Sequence, residues 1–289
     1  MRGMKKHPIV RVWWYAINTL LFLSLAAVLC AIGWEYSTRS YLQGFSDAII
    51  PASSSPEQKA ESILAWIAKG PMRRSTTAPE GLSLRDPTDT LNSKRLLEVC
   101  GTASNAFVNL AESGGLSARR LLLLDNNHLT KHVVVEVLIG DRWIVVDPAY
   151  HTIFRLPNGR MVTRTELQDP AIFRLATQGI PDYPQDYTYG SAAHVRLARI
   201  PVIGPSLRSI LNSVWPAWEE SINWTLIVER ESFAALCLSV LLFSFTLTVR
   251  FLFVWYCSSR HGISELRLRD RIAQAGQVLA GNTQSLTHN

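Results

Sequence analysis

Two apolar blocks, one near each end of the chain, most constrain what this sequence can fold into. Residues 12–34 hold no charged side chain over 23 positions. At about 1.5 Å rise per residue, a helix of that length crosses a hydrocarbon core of about 30 Å. Residues 232–249 are also uncharged, and the apolar run continues after Arg250 to Cys257. We therefore predict transmembrane helices over residues 12–34 and 232–257.

The charges beside the two blocks predict how they are oriented. Four basic residues and no acidic one precede the first block, and four arginines against two acids follow the second. Because Lys and Arg are enriched on cytoplasmic flanks, we predict cytoplasmic tails at residues 1–11 and 258–289. Residues 35–231 then form an extracytoplasmic domain, which we expect in the periplasm of a bacterium. A cleaved signal peptide is the alternative for the first block, although usual signal peptides have apolar regions of about 7 to 15 residues.

The net charge of +6 raises the question of nucleic acid as a partner. Much of that charge lies in the two short tails beside the apolar blocks, so nucleic-acid binding is not expected. His151 and His194 have no Cys or His at metal-ligand spacing and are predicted to lie at the surface. The sequence therefore predicts no metal and no other cofactor.

The positions of the four cysteines give the predicted outer domain a single thiol. Cys30 and Cys237 fall inside the apolar blocks, and Cys257 falls at the end of the second. Cys100 therefore has no partner for a disulfide within the domain. A lone thiol of this kind is either a buried, inert residue or one that takes part in chemistry.

Spacing patterns predict the helices and loops of the outer domain. Apolar residues recur at helical intervals over residues 57–69 and again over residues 100–113. Residues 71–94 are rich in Pro, Thr, Ser and charge, and we predict a long loop there. Residues 148–215 are predicted to form loops and short strands that end in an amphipathic segment around residues 205–214.

A predicted β-hairpin brings a histidine close to a carboxylate. Gly140-Asp141 separates two runs rich in β-branched residues, which is the signal of a type II′ turn. If Ile139 pairs with Arg142 across this turn, His132 and Asp147 share a face as diagonal neighbours, with Cβ atoms about 7 to 8 Å apart or less. A hydrogen bond can close that gap. The opposite face carries the predicted core residues Val133, Val135, Val137, Ile139, Ile144 and Val146.

Cys100 stands at the start of a predicted helix, where a thiol loses its proton more easily. The positive end of the helix macrodipole favours the thiolate, which is the nucleophilic form. A neighbouring histidine can hold the thiolate as an ion pair and later protonate a leaving group, while a carboxylate orients the ring. Cys100, His132 and Asp147 could together perform acyl transfer through a thioester.

Three stretches of the sequence resemble the transglutaminase-like superfamily: EQKAESILAWIAK, VCGTASNAFVNLAESGGLSARRLLL and HVVVEVLIGDRWIVVDPAY. They span about residues 57–150. The resemblance implies an α+β fold with a papain-like core, in which a helix begins at a cysteine and an antiparallel sheet carries a histidine and an aspartate. It assigns Cys100 as nucleophile, His132 as base and acid, and Asp147 as the orienting carboxylate. Cys100 lacks the aromatic neighbour found in many active transglutaminases, so the resemblance does not imply protein cross-linking.

Other residues near these motifs are weaker candidates for the site. The backbone N–H of Cys100 is a candidate oxyanion donor, as are the side chains of Asn92 and Ser93. Glu136 is predicted to pair on the rim of the site or to help shape it. Trp143 is predicted to pack beside the triad. His128 is an alternative histidine, but it lies in a loop with no carboxylate in register.

Two hypotheses of different classes follow for function. The first is a membrane-anchored cysteine acyl-transfer enzyme, a peptidase, amidase or transamidase that acts on a peptide, protein or polymer of the cell envelope. The second is a non-catalytic scaffold or regulatory subunit with the same fold, which would have envelope proteins of a surface-polysaccharide assembly as partners. The intact set of three residues favours the enzyme.

Overall fold

The computed structural model describes residues 8–69, 86–92, 97–127, 129–195 and 204–261. Its helices are α1 (Pro8–Ile49), α2 (Pro56–Ile67), α3 (Pro87–Asn92), α4 (Cys100–Ser113), α5 (Pro170–Thr177), α6 (Gly204–Val214), α7 (Trp218–Ser221), α8 (Trp224–Glu229) and α9 (Glu231–His261). Its strands are β1 (Ala118–Leu124), β2 (Thr130–Ile139), β3 (Arg142–Asp147), β4 (Thr152–Ile153) and β5 (Ala192–Ala193). Short 3-10 helices cover Pro148–Tyr150 and Glu166–Gln168.

The chain forms two compact units, and the folded domain is the one that runs from Trp34 to Ala234. The other unit consists of the helical segments outside that range, in which Trp14 packs against Cys257. In that unit Arg250 Nε donates to Asn18 Oδ1 at 3.1 Å. Both α1 and α9 are long and apolar enough to cross a membrane. Two apolar helices therefore flank the folded domain.

Helix α1 extends beyond the apolar block predicted from the sequence. It continues for 15 residues past Trp34, to Ile49. Leu42 in this extension is fully buried in the core of the folded domain. Ser46 Oγ donates to the carbonyl oxygen of Leu110 at 2.9 Å, which ties the extension to α4. The second half of α1 is thus a structural part of the domain.

A five-stranded antiparallel sheet in the order β4-β3-β2-β1-β5 lies at the centre of the domain. In the β2–β3 hairpin Ile139 pairs with Arg142 and Val135 with Val146, which is the register predicted from the sequence. Gly140 has a φ of +64°, whereas Asp141 does not have a positive φ. This pattern identifies the predicted type II′ turn. The α+β fold class is confirmed.

One face of the sheet packs against the helices α2 and α4 and the second half of α1. Its core includes the predicted residues Val135, Val137, Ile144 and Val146. Helix α2 begins with a capping box between Ser55 and Gln58 and buries Ala60, Ile63, Leu64 and Ile67 at helical spacing. Both predicted helices of this layer are present, within two residues of the predicted ends.

The other face of the sheet is also buried, which the sequence did not predict. Val134 and Val145 pack there against Phe154, Phe173 and the aromatic residues Tyr183, Tyr187 and Tyr189. These aromatic residues come from the region predicted as loops and short strands, which also contains the unpredicted helix α5. Asp169 caps α5 by accepting from the Ala171 N–H at 2.8 Å, and Pro170 occupies its first turn.

The loop predicted over residues 71–94 is partly wrong, because α3 occupies Pro87–Asn92. The buried residues of α3 are Pro87, Thr90 and Leu91. Residues 70–85 and 93–96 lie outside the described residues. The amphipathic segment predicted around residues 205–214 is present as α6.

Candidate active site

His132 and Asp147 meet on the face of the hairpin that the register predicts. His132 Nε2 lies 2.6 Å from Asp147 Oδ2, and neither side chain is exposed. The other carboxylate oxygen, Oδ1, accepts hydrogen bonds from the N–H groups of Ala149 at 3.1 Å and Tyr150 at 3.3 Å. These two bonds cap the 3-10 helix that follows β3. The carboxylate is therefore held by its own chain as well as by the imidazole.

Cys100 is the first residue of α4 and is half-buried. Its side chain is hydrogen-bonded to His132. Because Asp147 occupies Nε2 of the ring, Nδ1 is the nitrogen left for the thiol. Ser104, one turn further along α4, donates from Oγ to the carbonyl oxygen of Val133 at 3.1 Å and so fixes the helix beside β2. The structure thus brings Cys100, His132 and Asp147 together.

The surroundings of His132 favour its protonated form. Burial alone lowers the pKa of His132, but the charge and hydrogen bond of Asp147, together with Cys100, outweigh it and raise the pKa to about 9. The ring is then an imidazolium at neutral pH. A cation at this position favours a thiolate at Cys100.

Three tyrosines surround this pair, and sequence reasoning missed them. Tyr183 Oη donates to Asp147 Oδ2 at 3.0 Å, and Tyr189 Oη lies 3.2 Å from Tyr183 Oη. Tyr187 stacks on His132, with ring centroids 4.6 Å apart and planes inclined by 11°. The spacing of aromatic residues in PDYPQDYTYG was the only local signal. This stretch has no helical or strand periodicity that would have predicted its packing against the sheet.

Glu136 forms a pair, as predicted, but neither Glu136 nor Trp143 lies beside the triad. Glu136 is buried, not on a rim, and its Oε2 accepts from Arg119 Nε at 2.9 Å across the β1–β2 pair. The Arg119 guanidinium lies 4.0 Å from the centre of the Trp143 ring. Glu136 is four residues from His132 along β2, which corresponds to about 13 Å. Both residues therefore belong to a charged cluster at the turn end of the hairpin and do not touch the triad.

The remaining candidates for the oxyanion hole have different outcomes. Asn92 is exposed at the end of α3, and its side chain is hydrogen-bonded to Tyr41. This partner gives no support to Asn92 as an oxyanion donor. Ser93 and the alternative histidine His128 lie outside the described residues. The backbone N–H of Cys100, in the first turn of α4, remains the candidate oxyanion donor.

The two histidines predicted to lie at the surface do not lie there. His194 is buried. Its Nδ1–H donates to the carbonyl oxygen of Arg120 at 2.8 Å, and its Nε2 lies 3.5 Å from Glu136 Oε2. His151 is half-buried after the 3-10 helix, with a φ of +54°, and burial lowers its pKa. Among the residues that the structure describes, no three His, Cys, Asp or Glu side chains are grouped to hold a metal ion.

A groove of about 290 Å³ lies at the far end of α4 from Cys100. Lys59, Asp47 and Gly114 are among its lining residues. Lys59 Nζ already donates to the carbonyl oxygen of Gly114 at 2.7 Å. Cys100 is about 20 Å away along the helix axis, so this groove is not part of the site.

The geometry combines a thiol at a helix start, a histidine bonded to it and a carboxylate that orients the histidine. Residues 43–148 match the family described as the transglutaminase-like superfamily. No curated protein and no solved structure matches the chain. The matched segment begins in the second half of α1 and ends one residue after Asp147. The chain therefore carries a transglutaminase-like domain, flanked by two helices that are apolar and long enough to cross a membrane.

Proposed function

We propose that this protein is a membrane-anchored cysteine acyl-transfer enzyme that acts on an amide or ester bond through a thioester. The observation that carries the proposal is the position of His132, which bonds Asp147 through Nε2 and Cys100 through its other side. The elevated pKa of His132 supports an imidazolium opposite the thiol. A buried histidine with no chemical role does not need a thiol and a carboxylate on its two nitrogens.

The reaction proceeds in two balanced steps. The Cys100 thiolate attacks the carbonyl carbon and forms a C–S bond. The C–N or C–O bond of the substrate breaks, and the His132 imidazolium gives its proton to the departing amine or alcohol. Neutral His132 then takes a proton from water or an amine, which attacks the thioester and displaces the thiolate. Asp147 keeps the Nε2 proton in place throughout, so that Nδ1 faces the reacting atoms.

The proposed setting follows from the flanking helices and their charges. With both tails cytoplasmic, residues 35–231 face the periplasm, as the distribution of Lys and Arg favours. A domain held there acts on material close to the membrane. The proposed substrate class is accordingly a peptide, protein or polymer of the cell envelope, with hydrolysis when water resolves the thioester and transamidation when an amine does.

An activated ester such as p-nitrophenyl acetate tests the chemistry without a known substrate. The detergent-solubilised full chain is expected to acquire an acetyl group on the peptide that contains Cys100, and hydroxylamine should remove it. His132→Ala should slow this acetylation about a hundredfold, since general acid–base catalysis contributes that much or more. The control variant Cys100→Ala should show no acetylation of this peptide. Equal rates in the wild type and His132→Ala would instead favour the non-catalytic scaffold.

A further inference from the structure

The Asp147 carboxylate receives four hydrogen bonds, and one of them comes from a side chain far beyond the family match. Oδ1 accepts from two backbone N–H groups, and Oδ2 accepts from His132 at 2.6 Å and from Tyr183 Oη at 3.0 Å. Tyr183 follows the matched segment by 35 residues. Because the Tyr183 proton points to the carboxylate, Tyr189 is the donor in the bond between the two hydroxyl groups.

Tyr183 and Tyr189 remain neutral donors over the range in which an enzyme works. Burial first, and then the charge of Asp147, raise the pKa of both hydroxyl groups well above the usual value. Both side chains are buried, so water does not compete for Asp147 at this edge. A phenol that stays neutral gives the carboxylate a fixed dipole.

Tyr187 adds a second constraint, on the imidazole itself. Its ring lies nearly parallel to His132 and is buried. A cation over an aromatic face is stabilised by the ring quadrupole. The Lys131 ammonium pairs with the Asp186 carboxylate at the adjacent position, which fastens this part of the chain to β2.

We propose that Tyr183 and Tyr187 are positioning residues for acyl transfer: Tyr183 fixes the Asp147 carboxylate, and Tyr187 fixes the plane of the His132 ring. The inference rests on the proposed function, because positioning matters only if His132 transfers a proton. The segment that carries them lies beyond residues 43–148, the part of the chain that matches the family.

The substitution Tyr183→Phe isolates the hydroxyl group without leaving a cavity. Loss of one hydrogen bond to a charged group is expected to lower kcat for ester turnover about tenfold or more, with KM within about twofold. Tyr189→Phe is the matched control, since its hydroxyl bonds Tyr183 and does not touch Asp147. It should lower kcat less than about threefold. Tyr187→Phe keeps the stacked ring and should retain kcat, whereas Tyr187→Leu should lower it.

Titration of His132 gives a readout that does not depend on turnover. The groups around the His132 ring are Cys100 of α4, Asp147 of β3 with the Tyr183 hydroxyl group bonded to it, and the aromatic rings of Tyr150 and Tyr187. The positive end of the Tyr183 O–H dipole opposes the imidazolium charge. Its removal should therefore raise the His132 midpoint, by about half a pH unit or more.

The experiment is a side-chain NMR titration of histidine-labelled full chain in micelles, for the wild type, Tyr183→Phe and Tyr189→Phe. We expect the titration midpoint of His132 to rise in Tyr183→Phe and to stay unchanged in Tyr189→Phe. An unchanged midpoint together with unchanged kcat in Tyr183→Phe would overturn the inference, as would equal effects of the two variants. A different outcome is that Tyr183→Phe shifts the His132 midpoint while the wild type fails to acetylate Cys100. That result would count against the proposed function but would leave the hydrogen-bond role of Tyr183 in place.

Discussion

His132 of β2 and Asp147 of β3 form a hydrogen-bonded pair with no exposed surface on either side chain, at the end of the hairpin away from its turn. The pair joins the only thiol of the folded domain to the central sheet. Its burial explains why each member depends on the other: an imidazolium without the carboxylate would lose its main stabilising charge.

The raised pKa of His132 predicts a loss of stability at high pH. A folded-state pKa of about 9 against an unfolded value of 6.5 means that the folded protein binds the proton more tightly. The stabilisation is complete below pH 6.5 and is lost as the pH rises through about 9. Its upper limit is about 3 kcal/mol. Urea denaturation of the wild type between pH 6 and pH 10 measures this pH-dependent change in the free energy of unfolding.

The matched variant for that experiment is Asp147→Asn, which removes the charge that raises the pKa of His132. Its stability should fall less between pH 6.5 and pH 9 than that of the wild type. A parallel decline in the two proteins would show that other groups cause the pH dependence.

The ion pair between Glu35 and Arg230 is predicted to stabilise the folded domain strongly. Arg230 Nη1 donates to Glu35 Oε1 at 3.1 Å and Nε donates to Asn109 Oδ1 of α4 at 2.9 Å. Both charged side chains are 5% exposed. Arg230→Met leaves the Glu35 carboxylate buried without this partner and should cost about 3 to 5 kcal/mol of unfolding free energy, measured by urea denaturation.

Arg39 provides the control for this prediction, because it pairs with the same Glu35 oxygen at 2.6 Å but its side chain is 61% exposed. Arg39→Met should therefore cost less than about 1 kcal/mol. The double variant Glu35→Gln, Arg230→Met should recover part of the loss in Arg230→Met. Equal costs for the two single arginine variants would contradict the role assigned to burial.

The φ of +64° at Gly140 predicts a cost for any side chain at the hairpin turn. A Cβ at Gly140 meets no atom within 4 Å, so the cost of Gly140→Ala is conformational and should be about 1 kcal/mol. Gly179 also has open space around it and no positive φ, so Gly179→Ala should be neutral or stabilising. Thermal denaturation of the two variants compares them directly. Equal midpoints would show that the turn conformation is not the cause.

Reporter fusions test the proposed topology. A periplasm-active reporter such as alkaline phosphatase, fused after residue 120, should be active, and the same reporter after residue 285 should be inactive. The reason is the excess of Lys and Arg beside the outer ends of both apolar blocks. Activity in the opposite pattern would place the domain in the cytoplasm and end the envelope proposal.

The parts of the fold that sequence predicts well are those specified by neighbouring residues. The turn at Gly140-Asp141 sets the register of the hairpin, and that register alone places His132 on the same face as Asp147. The helix that begins at Cys100 has a clear period and two glycines at its end. Each of these signals lies within about 15 residues, where backbone geometry leaves few alternatives.

The features that the sequence did not predict depend on contacts between segments that are distant along the chain. Tyr183 donates to Asp147 from a position 36 residues further along the chain, and nothing in the local pattern identifies that partner. Glu136 and His194 are charged or polar, so they were expected near the surface. Their partners are Arg119 and the carbonyl oxygen of Arg120, which lie on a neighbouring strand. Burial of such groups becomes favourable only when those partners are present.

The pH dependence of Cys100 alkylation tests the central claim most directly. The full chain is treated with iodoacetamide across pH, and modification is followed on the Cys100 peptide so that the other three thiols do not interfere. We predict a midpoint at least about one unit below the ordinary thiol value of about 8.5, moving towards that value in His132→Ala. A midpoint near 8.5 that His132→Ala leaves unchanged would contradict the account.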